Sequence, residues 1–396
     1  MSSSQPVAVS PIPCGFKASV TLRALHQVHF GKDFLDPSNP LLASIVEPRM
    51  DGPARILVVV DGGVMRGWPD LPDRIERYRQ AHFDRLGLTR ILTVSGGETT
   101  KNDSKSLDAI LAAIEEDGIC RQSYVLVFGG GAVLDVAGYA ASMAHRGVRL
   151  IRFPTTTLSQ GDSGVGVKNG INRFGKKNFL GSFDVPIAVF NDEIYLTSLS
   201  DRDWRAGFSE AVKVSLIKDA TFFVEIEGIA EEVESRHHDT LMPVLRRSAE
   251  LHFKHIVEQG DPFERTVARP LDFGHWAAHK IEQMTDFSVP HGEGVAMGVA
   301  LDTVYSAVTG HLPWEEADRV CRCLCRMGFQ LHHESMEDTD TLFRGIEEFR
   351  QHLGGQLAVT LLKGIGQGFT CHEIDEERLK EALAHLSSIP NTIRPT

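Results

Sequence analysis

The feature that most constrains this chain is a regular alternation of short apolar runs with helix-like segments through its N-terminal half. ARILVVVD (54–61), RILTVSGG (90–97), YVLVFGG (124–130) and VRLIRFPTT (148–156) read as strands. PDRIERYRQAHFDRLG (72–87) and SLDAILAAIEEDG (106–118) read as helices between them. Strands separated by helices favour a parallel sheet with helices on both faces. From about Tyr195 the pattern changes to long helical periodicity with few strand signals, as in FSEAVKVSLIKDATFFVEI and GEGVAMGVALDTVYSAV. At 396 residues the chain exceeds the usual size of one core. Two domains are therefore expected, α/β over residues 1–190 and all-α over 191–396, with the boundary near Pro186–Thr197.

Composition narrows the partners. A net charge of −12 argues against a nucleic-acid or anionic-membrane surface. The opening MSSSQPVAVSPIPCGF lacks a basic stretch followed by an apolar core, so no signal peptide is expected. No uncharged run is long enough to cross a bilayer. Six cysteines, at 14, 120, 321, 323, 325 and 371, are too few and too clumped for a disulfide framework. Reduced thiols and a cytoplasmic protein are expected.

Two glycine turns follow strands. In YVLVFGGGAVLD, Gly129, Gly130 and Gly131 stand where a strand ends and a helix begins. Glycines there let backbone N–H groups approach a phosphate at a helix N-terminus. A tight turn needing positive φ explains them equally well. SGGETTKND (95–103) repeats the arrangement after the second strand. Both turns fall at strand C-terminal ends, where open α/β sheets bind ligands.

Beyond them, PTTTLSQGDSGVGVKNGINRFGKKNFLGSFDVP (154–186) gathers Lys168, Lys176, Lys177 and Asn178 in a glycine-rich stretch that also holds Asp162. Ammonium groups beside backbone donors suit a phosphate or a polyhydroxylated substrate. A solvated hairpin is the plainer reading. In the helical half, GHWAAHKIEQ puts His275 and His279 on one helical face, and FSEAVK does the same for Glu210 and Lys213. PHGEGVAMG puts His291 at a helix start beside Glu293. Two histidines and a carboxylate describe a catalytic zinc site. Spacing alone does not select among seventeen histidines, and core or capping roles stay open.

In order, GGGAVLDVAGYAA, HRG, PTT, DSGVGVK, GKKNFLG, WRAGFSEAVK, DFGHWAAH and HGEGVAMG resemble the 3-dehydroquinate synthase superfamily, the sugar phosphate cyclases. The resemblance runs from about residue 55 to 375. It implies a Rossmann-like NAD-binding domain, a helical metal- and substrate-binding domain, and an active site between them. By matching motif the metal ligands are Glu210, His275 and His291, for Zn2+ or Co2+. The NAD contacts are Asp61, Glu98, Lys101, Gly130, Gly131, Asp135, Thr155 and Thr156. The substrate and catalytic set is Asp162, Lys168, Lys177, Asn178, Lys213, Lys254 and His279, with Arg146 reaching across a homodimer interface. Family members bind a seven-carbon sugar phosphate and oxidise one hydroxyl transiently with NAD+. Phosphate then leaves by β-elimination, the ketone is reduced back, and ring opening and an aldol step close a carbocycle.

One departure sets the expected substrate. Dehydroquinate synthases carry an R-x-x-x-N-x-G-H pattern whose Arg and Asn help hold a carboxylate; here those positions are Ala268 and Asp272. Arg269 sits one place on, about 100° away around a helix. An ionised Asp272 repels a substrate carboxylate but accepts well from a hydroxyl. A neutral polyol end, as in sedoheptulose 7-phosphate, is therefore inferred. His279 is kept where 2-epi-5-epi-valiolone synthases usually lack it, and no Lys-Lys pair stands near Arg350. The mixture resembles the dehydroquinate-synthase-like proteins of the ebo cluster and 2-epi-valiolone synthases. That chemistry makes the expected enzyme a phosphate-eliminating lyase of cyclitol biosynthesis.

Overall fold

A computed structural model of the chain describes residues 10–12, 14–18, 23–258, 270–352 and 355–389. The sheet strands are β1 (Val28–Gly31), β2 (Ala54–Asp61), β3 (Leu86–Val94), β4 (Tyr124–Gly129) and β5 (Arg149–Pro154). A hairpin of β6 (Lys168–Arg173) and β7 (Lys176–Phe183) leaves the sheet, and β8 (Ala188–Asp192) returns to it. Six strands lie in the order β1-β8-β5-β4-β2-β3, and every neighbouring pair is parallel.

Period-two packing explains the sheet. Along β2, Ile56, Val58 and Val60 join one buried cluster, while Leu57 and Val59 join another on the opposite face. β4 divides likewise, Leu126 and Phe128 against Val125 and Val127. Strands buried on both faces need continuous apolar runs, which ARILVVVD and YVLVF supply. On one face Phe128, Phe153 and Phe190 stack in series, with centroid separations of 4.3 and 4.9 Å.

The flanking helices include α1 (Leu71–Ala81), α2 (Lys105–Glu116) and α3 (Gly131–Met143). The second strand starts at Leu86, not Arg90, and its helix stops at Ala81, not residue 87. Leu86 pairs with Ala54 and is buried, and a glycine follows it, so strand pairing overrides the helical spacing there. β1 and β8 escaped the sequence reading because runs of four and five residues carry too little periodicity.

The helical half includes α4 (Asp201–Lys218), α5 (His238–Glu258), α6 (His275–Met284), α7 (His291–Val308) and α8 (Trp314–Arg326). α7 is buried from Gly294 through Ala307, the mark of a central helix apolar all round. The start of α6 presses against it. A Cβ on Gly298 would lie 2.0 Å from the Gly274 carbonyl oxygen, and Gly274 itself has φ of +74°. Only glycine fits either position. That close approach brings the first residues of α6 and α7 together. No helix among the described residues is long and apolar enough to cross a membrane.

Candidate active site

Three helices converge on one cluster. Glu210 comes from the middle of α4, His275 is the first residue of α6, and His291 the first of α7. Both imidazole Nε2 atoms stand 3.6 Å from Glu210 Oε1. The other ring nitrogens are engaged: His275 Nδ1 lies 3.1 Å from the Phe273 carbonyl and His291 Nδ1 2.5 Å from Glu282 Oε1. Partners on Nδ1 aim Nε2 at the centre. Glu210 is 1% exposed, and neither carboxylate oxygen has a hydrogen bond of sound geometry, although Lys213 Nζ stands 2.5 Å from Oε2. A buried carboxylate without hydrogen bonds, faced by two oriented imidazoles, suits a divalent cation. His279, Glu282 and His291 could form a second such group. There the Glu282 oxygens are already taken, by His291 and by Lys177 Nζ at 2.5 Å, so the Glu210 set fits better.

Charge around the cluster is balanced by neighbours. Burial disfavours the Glu210 carboxylate, but Lys213 and His291 outweigh it and hold the group ionised. Burial likewise opposes the Lys213 ammonium, which Glu210, Asp162 and Asp272 hold in its charged form. Lys213 is therefore the cation among three carboxylates. Asp272, in the turn Pro270–Asp272 just before α6, is close enough for its charge to act on Lys213. His279 completes a triangle of imidazoles, its ring centroid 5.5 Å from His275 and 5.6 Å from His291. Burial drives His279 well below the ordinary histidine range.

A second polar centre lies at the sheet. The strand order reverses between β2 and β4, so the turns after them flank a crevice at their C-terminal ends. Asp61 closes β2 and accepts from the Gly63 amide at 2.7 Å. None of Gly129, Gly130 and Gly131 has positive φ, which removes the tight-turn explanation. Close neighbours crowd each of them instead. A Cβ would meet Val133 at 2.8 Å from Gly129, Thr156 at 3.2 Å from Gly130 and Ser163 at 2.8 Å from Gly131. Ser163 Oγ, beside that helix start, is buried without a hydrogen-bond partner. Thr155 is buried and its amide donates to the Gly129 carbonyl, while Thr156 Oγ1 lies 2.8 Å from Ser159 Oγ. Lys101 Nζ lies 2.6 Å from Asp135 Oδ2 and 3.9 Å from Glu98, and also contacts Asn178. The residues expected at NAD and at substrate thus meet in one network.

Not every expected residue arrives. Lys254 is half-exposed on α5 and pairs with Glu250 at 2.7 Å, away from the cluster. Two residues earlier on the same helix, His252 Nδ1 stands 2.6 Å from Asp162 Oδ1. The buried stripe Leu241, Leu245, Ser248 and Ile256 carries His252 inward at helical spacing and Lys254 outward. That stripe was legible and unused. Arg146 lies on a left-handed turn at φ of +63°, in a surface groove with Cys120, Arg121 and Met143, apart from the cluster. Lys168 is exposed at the start of β6. Ala268 and Arg269 lie outside the described residues. Sequence reasoning also missed Glu282, which stands three residues after His279 on the same helical face.

Comparison with known proteins agrees with this arrangement. Residues 91–206 match the 3-dehydroquinate synthase N-terminal family model and residues 207–348 the C-terminal one. A 3-dehydroquinate synthase of Rhodopseudomonas palustris (strain BisB18) is 32% identical over 346 residues, covering 84% of this chain and 87% of its own. One from Paracoccus denitrificans is 35% identical over 305 residues, covering 74% and 80%. Among solved structures, ValA, a 2-epi-5-epi-valiolone synthase from Streptomyces hygroscopicus with NAD+ and Zn2+ bound, aligns at a TM-score of 0.85 and 26% identity, covering 94% of this chain and 99% of its own. Iron-containing alcohol dehydrogenase of Corynebacterium glutamicum shares the fold alone, at a TM-score of 0.57 and 12% identity over 93% of this chain and 97% of its own. With its crevice, its converging helices and both family models matched over residues 91–348, the chain belongs to the 3-dehydroquinate synthase family.

Proposed function

We propose that the protein is a sugar phosphate cyclase that converts sedoheptulose 7-phosphate to 2-epi-valiolone with release of phosphate. The observation that carries the substrate is Asp272, whose carboxylate acts on Lys213 beside the Glu210–His275–His291 cluster. A substrate carboxylate there would meet Asp272, Glu210 and Asp162 together, whereas a hydroxyl finds acceptors. Asp61, the glycine turn after β4 and Ser163 fit a dinucleotide, and Glu210, His275 and His291 fit zinc or cobalt. When bound, NAD accepts and returns a hydride, and the metal polarises the hydroxyl being oxidised. Lys213 holds positive charge where oxygen becomes electron-rich. Lys168, Lys177 and Asn178 belong to the hairpin that would grip phosphate, and Lys177 is tied to Glu282 behind His291. Arg146, on its exposed turn, would complete the site of a second copy in a homodimer. The two units divide where β8 ends at Asp192 and α4 begins at Asp201.

A second reading, 3-dehydroquinate synthase, is favoured by the names of the curated relatives. Incubation with sedoheptulose 7-phosphate, NAD+ and zinc, followed by NMR of the product, decides between them. A C7 cyclitol with stoichiometric phosphate supports the proposal. Turnover of the carboxylated heptulosonate phosphate alone would transfer the chain to the second reading. Sustained NADH accumulation from a polyol would make it a dehydrogenase instead.

A further inference from the structure

We propose that His252, held by Asp162, is the group that moves a proton to and from a substrate hydroxyl beside the Glu210–His275–His291 cluster. The substrate rests on the cyclase reading above; the dyad itself rests on geometry. Asp162 belongs to the π-helical turn Ser159–Ser163, which packs against both α4 and α5. Its Oδ1 stands 2.6 Å from His252 Nδ1, and the two side chains stay 16% and 20% exposed. The pair is therefore partly open to solvent rather than sealed in the core.

The carboxylate on Nδ1 keeps a proton there and leaves Nε2 as the acceptor. Nε2 points towards Gly166, where a Cβ would stand 3.8 Å from it. The working edge of the imidazole therefore lies along the segment that joins Asp162 to Lys168. Asp162 in turn acts electrostatically on Lys213 and His275, so the dyad borders the cluster. The other groups there have partners. Lys213 faces Glu210, and His275 and His291 are held on Nδ1 with Nε2 turned to Glu210. In the proposed step the substrate O–H bond breaks, the proton moves to Nε2, and the bonding pair stays on oxygen. The reverse transfer returns the proton, and Asp162 remains ionised throughout.

The test compares zinc-loaded wild type with His252→Ala and His252→Gln on sedoheptulose 7-phosphate. Loss of a positioned acid–base group should lower kcat about 100-fold, with KM, metal content and NAD affinity little changed. Added imidazole, at concentrations harmless to wild type, should restore part of the rate to His252→Ala. Unchanged kcat, or a loss that imidazole never repairs, overturns the proposal. Nitrogen-15 NMR of the imidazole gives a reading independent of turnover. Wild type should show the Nδ1–H form, and Asp162→Asn a mixture of tautomers. A wild-type imidazole without the Nδ1 proton sinks the dyad, while an intact tautomer with no turnover of any sugar phosphate counts against the cyclase reading alone.

Discussion

The two halves of the molecule treat buried charge in opposite ways. In the sheet half, Arg152 is wholly buried and donates to the carbonyls of Gly164, Gly166 and Lys168 and to Asn169 Oδ1. Those acceptors hold both terminal nitrogens of the guanidinium, leaving only Nε without a partner, and set the backbone that carries Lys168. In the helical half, Glu210 is as deeply buried, yet its oxygens have no hydrogen bond of sound geometry. A charge enclosed by its own backbone is scaffold. One aimed at a shared point with two imidazoles is arranged for a ligand.

That contrast can be broken most severely at the cluster. His275→Ala is expected to abolish bound metal and turnover while unfolding remains cooperative; full metal content with normal turnover would remove His275 as a ligand. Arg152→Met should do the reverse, costing about 3 kcal/mol of stability because buried acceptors lose their donor. Chemical denaturation measures this, and a drop in metal content with undiminished stability would erase the distinction between the halves. Glu282→Gln sits between the two, since Glu282 orients His291 and pairs with Lys177. Its metal affinity should fall about 10- to 100-fold by competition with a chelator, with turnover recovered in excess zinc. Asp272→Asn should weaken use of sedoheptulose 7-phosphate about tenfold, the worth of one good hydrogen bond, and leave NAD binding intact. Equal losses in both would make Asp272 structural.

The smallest effect concerns pH. Asp302 accepts from Trp276 Nε1 at 2.9 Å and from the Gly274 amide at 3.0 Å, and burial raises its carboxyl to about 7 against those bonds. The folded chain then keeps this proton longer than the unfolded chain, so the contribution to stability is full below about pH 4 and lost as pH rises through about 7. Denaturation of wild type and Asp302→Asn across that range should show the slope in wild type only.

Much of the sheet was legible because a strand buried on both faces writes itself as a continuous apolar run, as in ARILVVVD and YVLVF. The Glu210–His275–His291 grouping was legible only through resemblance, since HxxxH spacing shows that His275 and His279 share a face without saying which one faces Glu210. Lys254 was expected at the substrate from a motif, whereas in the structure it pairs with Glu250 on the outer face of α5. The stripe through Ser248 and Ile256 shows which residue turns inward. Pairing of Lys177 with Glu282 had no local trace, since 105 residues separate them.

By itself the sequence determined the four central strands and the helices between them, because apolar periodicity is a local property that a short window reveals. The role of the glycines after β4 was left open by the sequence and decided by their φ values and close neighbours in the structure. Only the tertiary structure decided that α4, α6 and α7 bring Glu210, His275 and His291 to one point, and that His252 meets Asp162 while Lys254 turns to Glu250. Convergence depends on helices packing close enough to touch backbone to backbone, as at Gly274 and Gly298, and no local pattern encodes that distance.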